Sequence, residues 1–232
     1  FPADEMEKLK TQTLSGLAAN KDDPNAIAGN VRNALVYGSQ HPYGLFTTEK
    51  SVSAITLEDC KNYYETYYRP NNAYLIIVGD IDLKTAKSLT DKYFAKWTAG
   101  EVKNPTYTQP KEPAKTYVAM VDRPTSVQSV VNIAYPVNLM PGTQDAIKAR
   151  VTNQILGGGF SSRLMQNLRE KHGYTYGARS QLSADNLVGN FSASASVRNE
   201  VTDSAVHEFI AELKRMVSEP VTEKELMAAK AE

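Results

Sequence analysis

An α+β fold follows from three features of the sequence. Several segments repeat apolar residues at helical spacing. Two neighbouring segments alternate apolar and polar residues and are joined by a short polar connection, which makes an antiparallel hairpin. The chain mixes these patterns instead of repeating strand–helix units, so a doubly wound parallel sheet is disfavoured. No internal repeat or low-complexity tract is present.

Taken in order, Met6, Leu9, Thr13, Leu14 and Leu17 recur at helical spacing behind Pro2, which predicts a helix over 3–20. Asp22-Asp23-Pro24 interrupts it, and Asn25–Val36 reads as a second helix. His41-Pro42-Tyr43-Gly44 is a turn-rich loop. Thr56-Leu57-Glu58-Asp59 has the reach-back logic of a capping box and opens a helix to about Tyr68. Arg69-Pro70-Asn71-Asn72 ends that helix, and Ala73–Val78 is short and β-rich. Asp82 is positioned to cap a helix over Leu83–Trp97. From 98 to 113, Gly100, Pro105, Pro110 and Pro113 break up any period and mark a linker.

Beyond the linker the pattern restarts with strands at 116–121 and 127–135, a helix at 143–156 and the glycine loop Gly157-Gly158-Gly159. A helix over Ser162–Lys171 follows, then the hairpin of 174–182 and 187–197 about Ser183–Asn186. Val201, Ala205, Phe209, Leu213 and Met216 step by about four along an amphipathic helix. Thr222-Glu223-Lys224-Glu225 caps one more.

Composition narrows the function. The 232 residues hold 26 basic and 26 acidic side chains, so the net charge is zero and a phosphate-tracking surface is disfavoured. At this length folding buries roughly 70–75% of the unfolded surface, so no staple is needed for a core. The single cysteine, Cys60, excludes an internal disulfide and a multi-cysteine zinc site. No segment has the ~18–20 apolar residues of a bilayer span. Phe1 in place of methionine and a helical run still open at Glu223–Glu232 read as a segment of a longer protein.

His41, His172 and His207 have no second histidine or cysteine at ligand spacing, and no H-x-x-E-H or H-E-x-x-H string exists. His172 suits the negative end of a helix, and His207 lies off the apolar stripe of its helix. Cys60 reads as a small buried hydrophobe. Gly157–Ser162 lacks the lysine of a phosphate loop and reads as a flexible joint with a serine cap. The informative stretch is Ser161–Tyr176, SSRLMQNLREKHGYTY. Arg163 and Arg169 straddle a helix with Leu164 and Leu168 on its apolar side, and Gly173 supplies the terminal turn. Arg169 and Tyr176 could converge on one peptide carbonyl, through a guanidinium fork and a phenol. The alternative, favoured by spacing alone, pairs Arg169 with Glu170 and packs Tyr176 across the strands.

The string LGGGFSSRLMQNLREKHGYTY resembles the second homologous domain of the pitrilysin/insulinase-like zinc peptidases, which include the mitochondrial processing peptidases. HPYG at 41–44, YYRPNNAYLIIVGDID at 67–82 and DRPTSVQ at 122–128 match the same family in order. The resemblance implies a two-domain roll of the half-clamshell type, with antiparallel-rich mixed sheets and helices packed on one face. It divides the chain into 1–97, the end of a first homologous domain, the 98–113 linker, and 114–232, a second domain. It also implies that two halves enclose an extended peptide, and that Arg169 and Tyr176 are the substrate-binding pair. The family's zinc rests on an H-x-x-E-H motif and a downstream glutamate. Here Lys8–Lys21, KLKTQTLSGLAANK, contains no acid where that glutamate belongs. The expectation is a non-catalytic half with no catalytic or metal-binding residue of its own, zinc being held by a partner subunit or domain. The alternative is a structural or peptide-holding subunit with no part in hydrolysis. Partners are a catalytic zinc-peptidase subunit and an extended peptide, with no nucleic acid and no membrane-spanning segment. A bacterial periplasm or envelope location rests on the resemblance alone.

Overall fold

Side-chain caps set the helix starts along this chain, and the computed structural model, which describes residues 1–231, shows them in detail. α1 runs Ala3–Asn20 and α2 Pro24–Tyr37. The Asp23 carboxylate accepts from the backbone N–H groups of Asn25 and Ala26 at 2.7 and 2.9 Å, with Pro24 in the first helical position. α3, Glu49–Ala54, and α4, Leu57–Tyr67, each open on a capping box, Thr48 with Ser51 and Thr56 with Asp59. α3 was not foreseen, because six residues with one buried apolar side chain show no period. Asp82 caps α5, Leu83–Phe94, accepting from Thr85 N–H at 2.9 Å. β1 is Gln128–Val137 and α6 is Gln144–Asn153, the latter capped by Thr143. The hairpin strands are β2, Thr175–Ser183, and β3, Gly189–Arg198. α7 spans Thr202–Ser218 and α8 Glu223–Ala231.

The chain divides into two compact units, each discontinuous in sequence. One is Phe1–Ala19 with Thr47–Thr106, and the other is Asn20–Phe46 with the chain from Tyr107 onward. The first unit is helical and held by polar and aromatic contacts. Lys10 Nζ reaches Ser53 O at 3.2 Å, Trp97 Nε1 donates to Tyr68 O at 3.0 Å, and Phe1 sets its ring edge against Tyr64. Asn71 and Gly100 exchange two hydrogen bonds.

The second unit contains an antiparallel sheet in the order β1-β3-β2; the β2–β3 pairing is the expected hairpin, and β1 joins it along the free side of β3. Val131, Ala195 and Ala178 form one row across its inner face, and Ile133, Ala193 and Ser180 form the next. Small alanines in the central strand leave room for Phe209 and Ala205 of α7, and for Leu164 and Leu168, all fully buried. The apolar stripes read in 162–171 and 201–216 are therefore the helical side of the core.

Two predicted strands do not form. Residues 73–78 and 116–121 have β propensity, but neither finds a ladder partner among the described residues. A strand is completed by hydrogen bonds to another segment, and propensity cannot supply that. Their side chains stay exposed, Tyr74 at 97% and Val118 at 83%. Cys60 is half-buried rather than buried.

Candidate functional site

The backbone between 154 and 174 departs from α geometry twice. Gln154–Gly158 and Met165–Lys171 are π-helical, the second closing with His172 N–H on Asn167 O, five residues back. Such widened turns are rare and concentrate at functional sites. Gly173, at φ +62°, then turns the chain into β2, with Gly173 N–H on Arg169 O and Tyr174 N–H on Leu168 O. The expected α-helix over 162–171 is therefore mostly π-helical.

Packing explains the glycine loop better than flexibility does. A Cβ on Gly157 would strike the backbone N and Oγ of Ser180 and the Leu164 side chain, so glycine permits close approach of this turn to β2. Asn153 and Ser180 clamp the same junction with reciprocal bonds of 3.0 and 2.8 Å. Ser162 is buried and its hydroxyl caps no helix. The opposite side is held by charge. Arg163, only 7% exposed in its side chain, makes a two-point bond to Glu225 at 2.7 and 3.1 Å. Glu225 also closes the Thr222 capping box of α8. The Arg163 fork holds its carboxyl down to about 2, with the Thr222 bonds adding to the effect. Asn167 donates to Glu208 and to the buried Glu212, which Arg215 neutralises at 2.9 Å.

This frame presents Arg169 and Tyr176. The β2–β3 register slips between Thr175 and Ala178, where three residue steps face two from Val197 to Ala195. That is a β-bulge. Thr175 Oγ1 pins it by donating to Ser196 O at 2.7 Å and accepting from Gly177 N–H at 3.1 Å. Bulges re-aim side chains at sheet edges, and here Tyr176 stands 91% exposed. β2 is bonded to β3 alone, so its other edge is open among the described residues. Arg169 is half-buried, with its guanidinium 4.7 Å from the Phe160 ring and its Nε 3.5 Å from Glu170. The Glu170 pairing expected as the structural alternative is thus present. Tyr176, exposed on the bulge, is not packed across the strands, and no hydrogen bond or cation–π contact joins it to Arg169.

The residues present do not fit zinc. His41 is buried among Tyr37, Tyr43 and Tyr107, with Nδ1 accepting from Tyr43 N–H at 3.2 Å. His172 stacks on Tyr174, and His207 is exposed on α7. Among the described residues no three His, Cys, Asp or Glu side chains converge as a ligand set. No helix among them is long and apolar enough to cross a membrane.

Sequence reasoning missed the anchor of the 41–44 loop. Tyr43 hydroxyl bonds both Asp185 oxygens at 3.0 and 3.1 Å, tying the loop to the hairpin turn. The Asp185 carboxyl lies below its usual range because it accepts from Leu187 N–H, with Tyr43 and Val188 assisting. The Tyr43 phenol is raised by burial first and by Asp185 second. The alternating serines of Asn190–Val197, NFSASASV, give β3 a polar face opposite its buried one.

Comparison with known proteins places these features in a family. Residues 54–232, more than half of the chain, match the family model described as the peptidase M16 inactive domain. An uncharacterized zinc protease of Rickettsia felis is 26% identical over 100% of this chain and 55% of its own length. A non-peptidase homolog, YmxG, of Helicobacter pylori is 24% identical over 76% of this chain and 40% of its own length. Among solved structures, a peptidase M16 inactive domain from Pseudomonas fluorescens superposes with a TM-score of 0.88 at 29% identity. It is covered to 56%, and this chain to 100%. The chain therefore spans about half the length of such relatives.

Proposed function

Because the chain belongs to the peptidase M16 inactive-domain family, we propose that it is the non-catalytic half of a zinc metallopeptidase. It helps enclose an extended peptide for hydrolysis by zinc held in a partner subunit or domain. The observation that carries this is the bulge that holds Tyr176 out from an open edge strand, seven residues after Arg169. An extended peptide can add to such an edge through backbone hydrogen bonds, which rewards chain length over side-chain identity. Tyr176 and the Arg169 guanidinium then supply donors for a peptide carbonyl.

The test is steady-state kinetics of the enzyme reconstituted with its catalytic partner. Arg169→Ala and Tyr176→Phe are each expected to lower kcat/KM by about 10²–10³, the usual cost of one donor to a reacting carbonyl. Their melting temperatures should move little, because neither side chain is buried. Unchanged kinetics in both variants removes the assigned role.

A second reading, a structural or peptide-holding subunit with no part in hydrolysis, is favoured by one observation. Arg169 is already engaged by Glu170 and Phe160, contacts that a purely structural arginine makes. On that reading the same variants leave turnover intact, and no co-expressed partner gains activity from this chain.

A further inference from the structure

The face of the sheet turned away from the core bears a polar row that packing does not explain. Arg179 on β2 stands opposite Ser194 on β3, which stands opposite Asn132 on β1. α2 lies over this face and brings Arg32 and, three residues earlier, Gly29. Together with Ser196 these residues line a cleft of about 350 Å³, within the size range of ligand sites. Arg32 Nε donates to Asn33 Oδ1 at 3.1 Å, and neither arginine forms an ion pair among the described residues. The side chains of Asn132, Ser194 and Ser196 make no hydrogen bond there either. No carboxylate lines the cleft. It therefore combines two uncompensated guanidinium forks with a floor of hydroxyl and amide donors.

We propose that this cleft binds the carboxylate of an extended peptide, either an acidic side chain or the chain terminus. A guanidinium fork matches the two oxygens of a carboxylate, and two forks in one cleft lower their mutual repulsion when an anion sits between them. A neutral chain with two cations at the site lacks the run of positive charge that tracks a nucleic-acid backbone. That the carboxylate arrives on a peptide rests on the function proposed above. It is supported by Gly177, which lines the cleft and directly follows Tyr176 at the open edge.

Fluorescence anisotropy on the full chain tests the proposal with three labelled peptides of one length. One has a central Glu and an amidated end, one has no acid and a free terminus, and one has neither charge. The wild type should bind at least one carboxylate peptide about tenfold or more tighter than the uncharged one, and the tighter of the two names the source. Arg32→Gln and Arg179→Gln should each erase about tenfold of that preference, consistent with one charge-assisted bond. Gly29→Leu keeps both charges and fills the cleft. A Cβ there meets nothing within 4 Å, so the helix is not strained and the preference should still fall. Arg150→Gln, at an exposed arginine of α6 outside the cleft lining, should leave the preference intact, which separates the cleft from surface charge in general. Equal binding of all three peptides overturns the cleft and spares the edge reading. If no peptide binds, NMR of the arginine Nε–H signals with N-acetylglutamate amide decides. Shifts at Arg32 and Arg179 keep a carboxylate site while the peptide reading fails, and silent signals overturn both.

Discussion

The two compact units of this chain differ in what holds them. In the helical unit, Val52 is the one buried apolar side chain among the described residues. In the sheet-containing unit, Phe209, Leu164, Leu168, Val197 and the strand alanines form a continuous core. Most helices of both units nevertheless form where caps and periodicity placed them, with α3 the unforeseen one in the helical unit. Helix formation needs only local bonds, whereas a core and a sheet need distant segments to meet. The apolar run Tyr74–Val78 shows the consequence, because its Ile76 remains 81% exposed in a unit that offers it no cover.

The largest expected effect contrasts the two units directly. Phe209→Ala should cost about 3–5 kcal/mol in urea unfolding, since it empties a closed part of the core. Ile76→Ala should change stability by less than about 0.5 kcal/mol, as for exposed sites generally. Comparable losses at the two positions would mean that the helical unit has a core of its own.

An intermediate effect tests the charged side of the π-helical frame. The folded Glu225 carboxyl titrates at about 2 against 4.5 in the unfolded chain. Its stabilisation is therefore complete above pH 4.5 and disappears as pH falls through 2. Allowing for partial exposure, the amount is about 1–3 kcal/mol. Glu225→Gln should remove it at neutral pH and flatten the acid limb of a stability–pH profile. A limb as steep as the wild type's would assign the acid sensitivity elsewhere.

Gly157→Ala addresses close packing in the same region. The new methyl group meets Ser180 backbone and Leu164, so a loss of about 1–3 kcal/mol is expected by thermal melting. A neutral or stabilising result would restore the loop to the flexible joint that its composition suggests.

The smallest effect belongs to the helical unit. Thr56→Ala removes the side-chain oxygen that accepts from Asp59 N–H, a loss of about 1 kcal/mol. Hydrogen exchange should show the change confined to α4. A change that spread beyond α4 would show that the cap supports more than its own helix.

Much of this was legible because the signals were short-range. Thr56, Asp82 and Thr222 each announced a helix start that the structure contains, while Asp23 and Thr143 read only as a break and a first helical residue and proved to be caps as well. The alternation of 174–182 and 187–197 announced the hairpin and, in Gly189–Arg198, which face is buried. Arg169 and Tyr176 were named from one motif, but the bulge that turns Tyr176 outward is a register slip between two strands. No pattern within β2 encodes it.

The sequence by itself determined the α+β class, most helix starts and the hairpin, because each depends on residues within a few positions of one another. Tertiary structure decided the rest. It left 73–78 and 116–121 unpaired, widened the 165–171 helix into π geometry, buried His41, joined Arg163 to Glu225 and set Arg32 and Arg179 along one cleft. Those outcomes depend on which distant segments supply a partner, and partners far apart in sequence leave no local period to read.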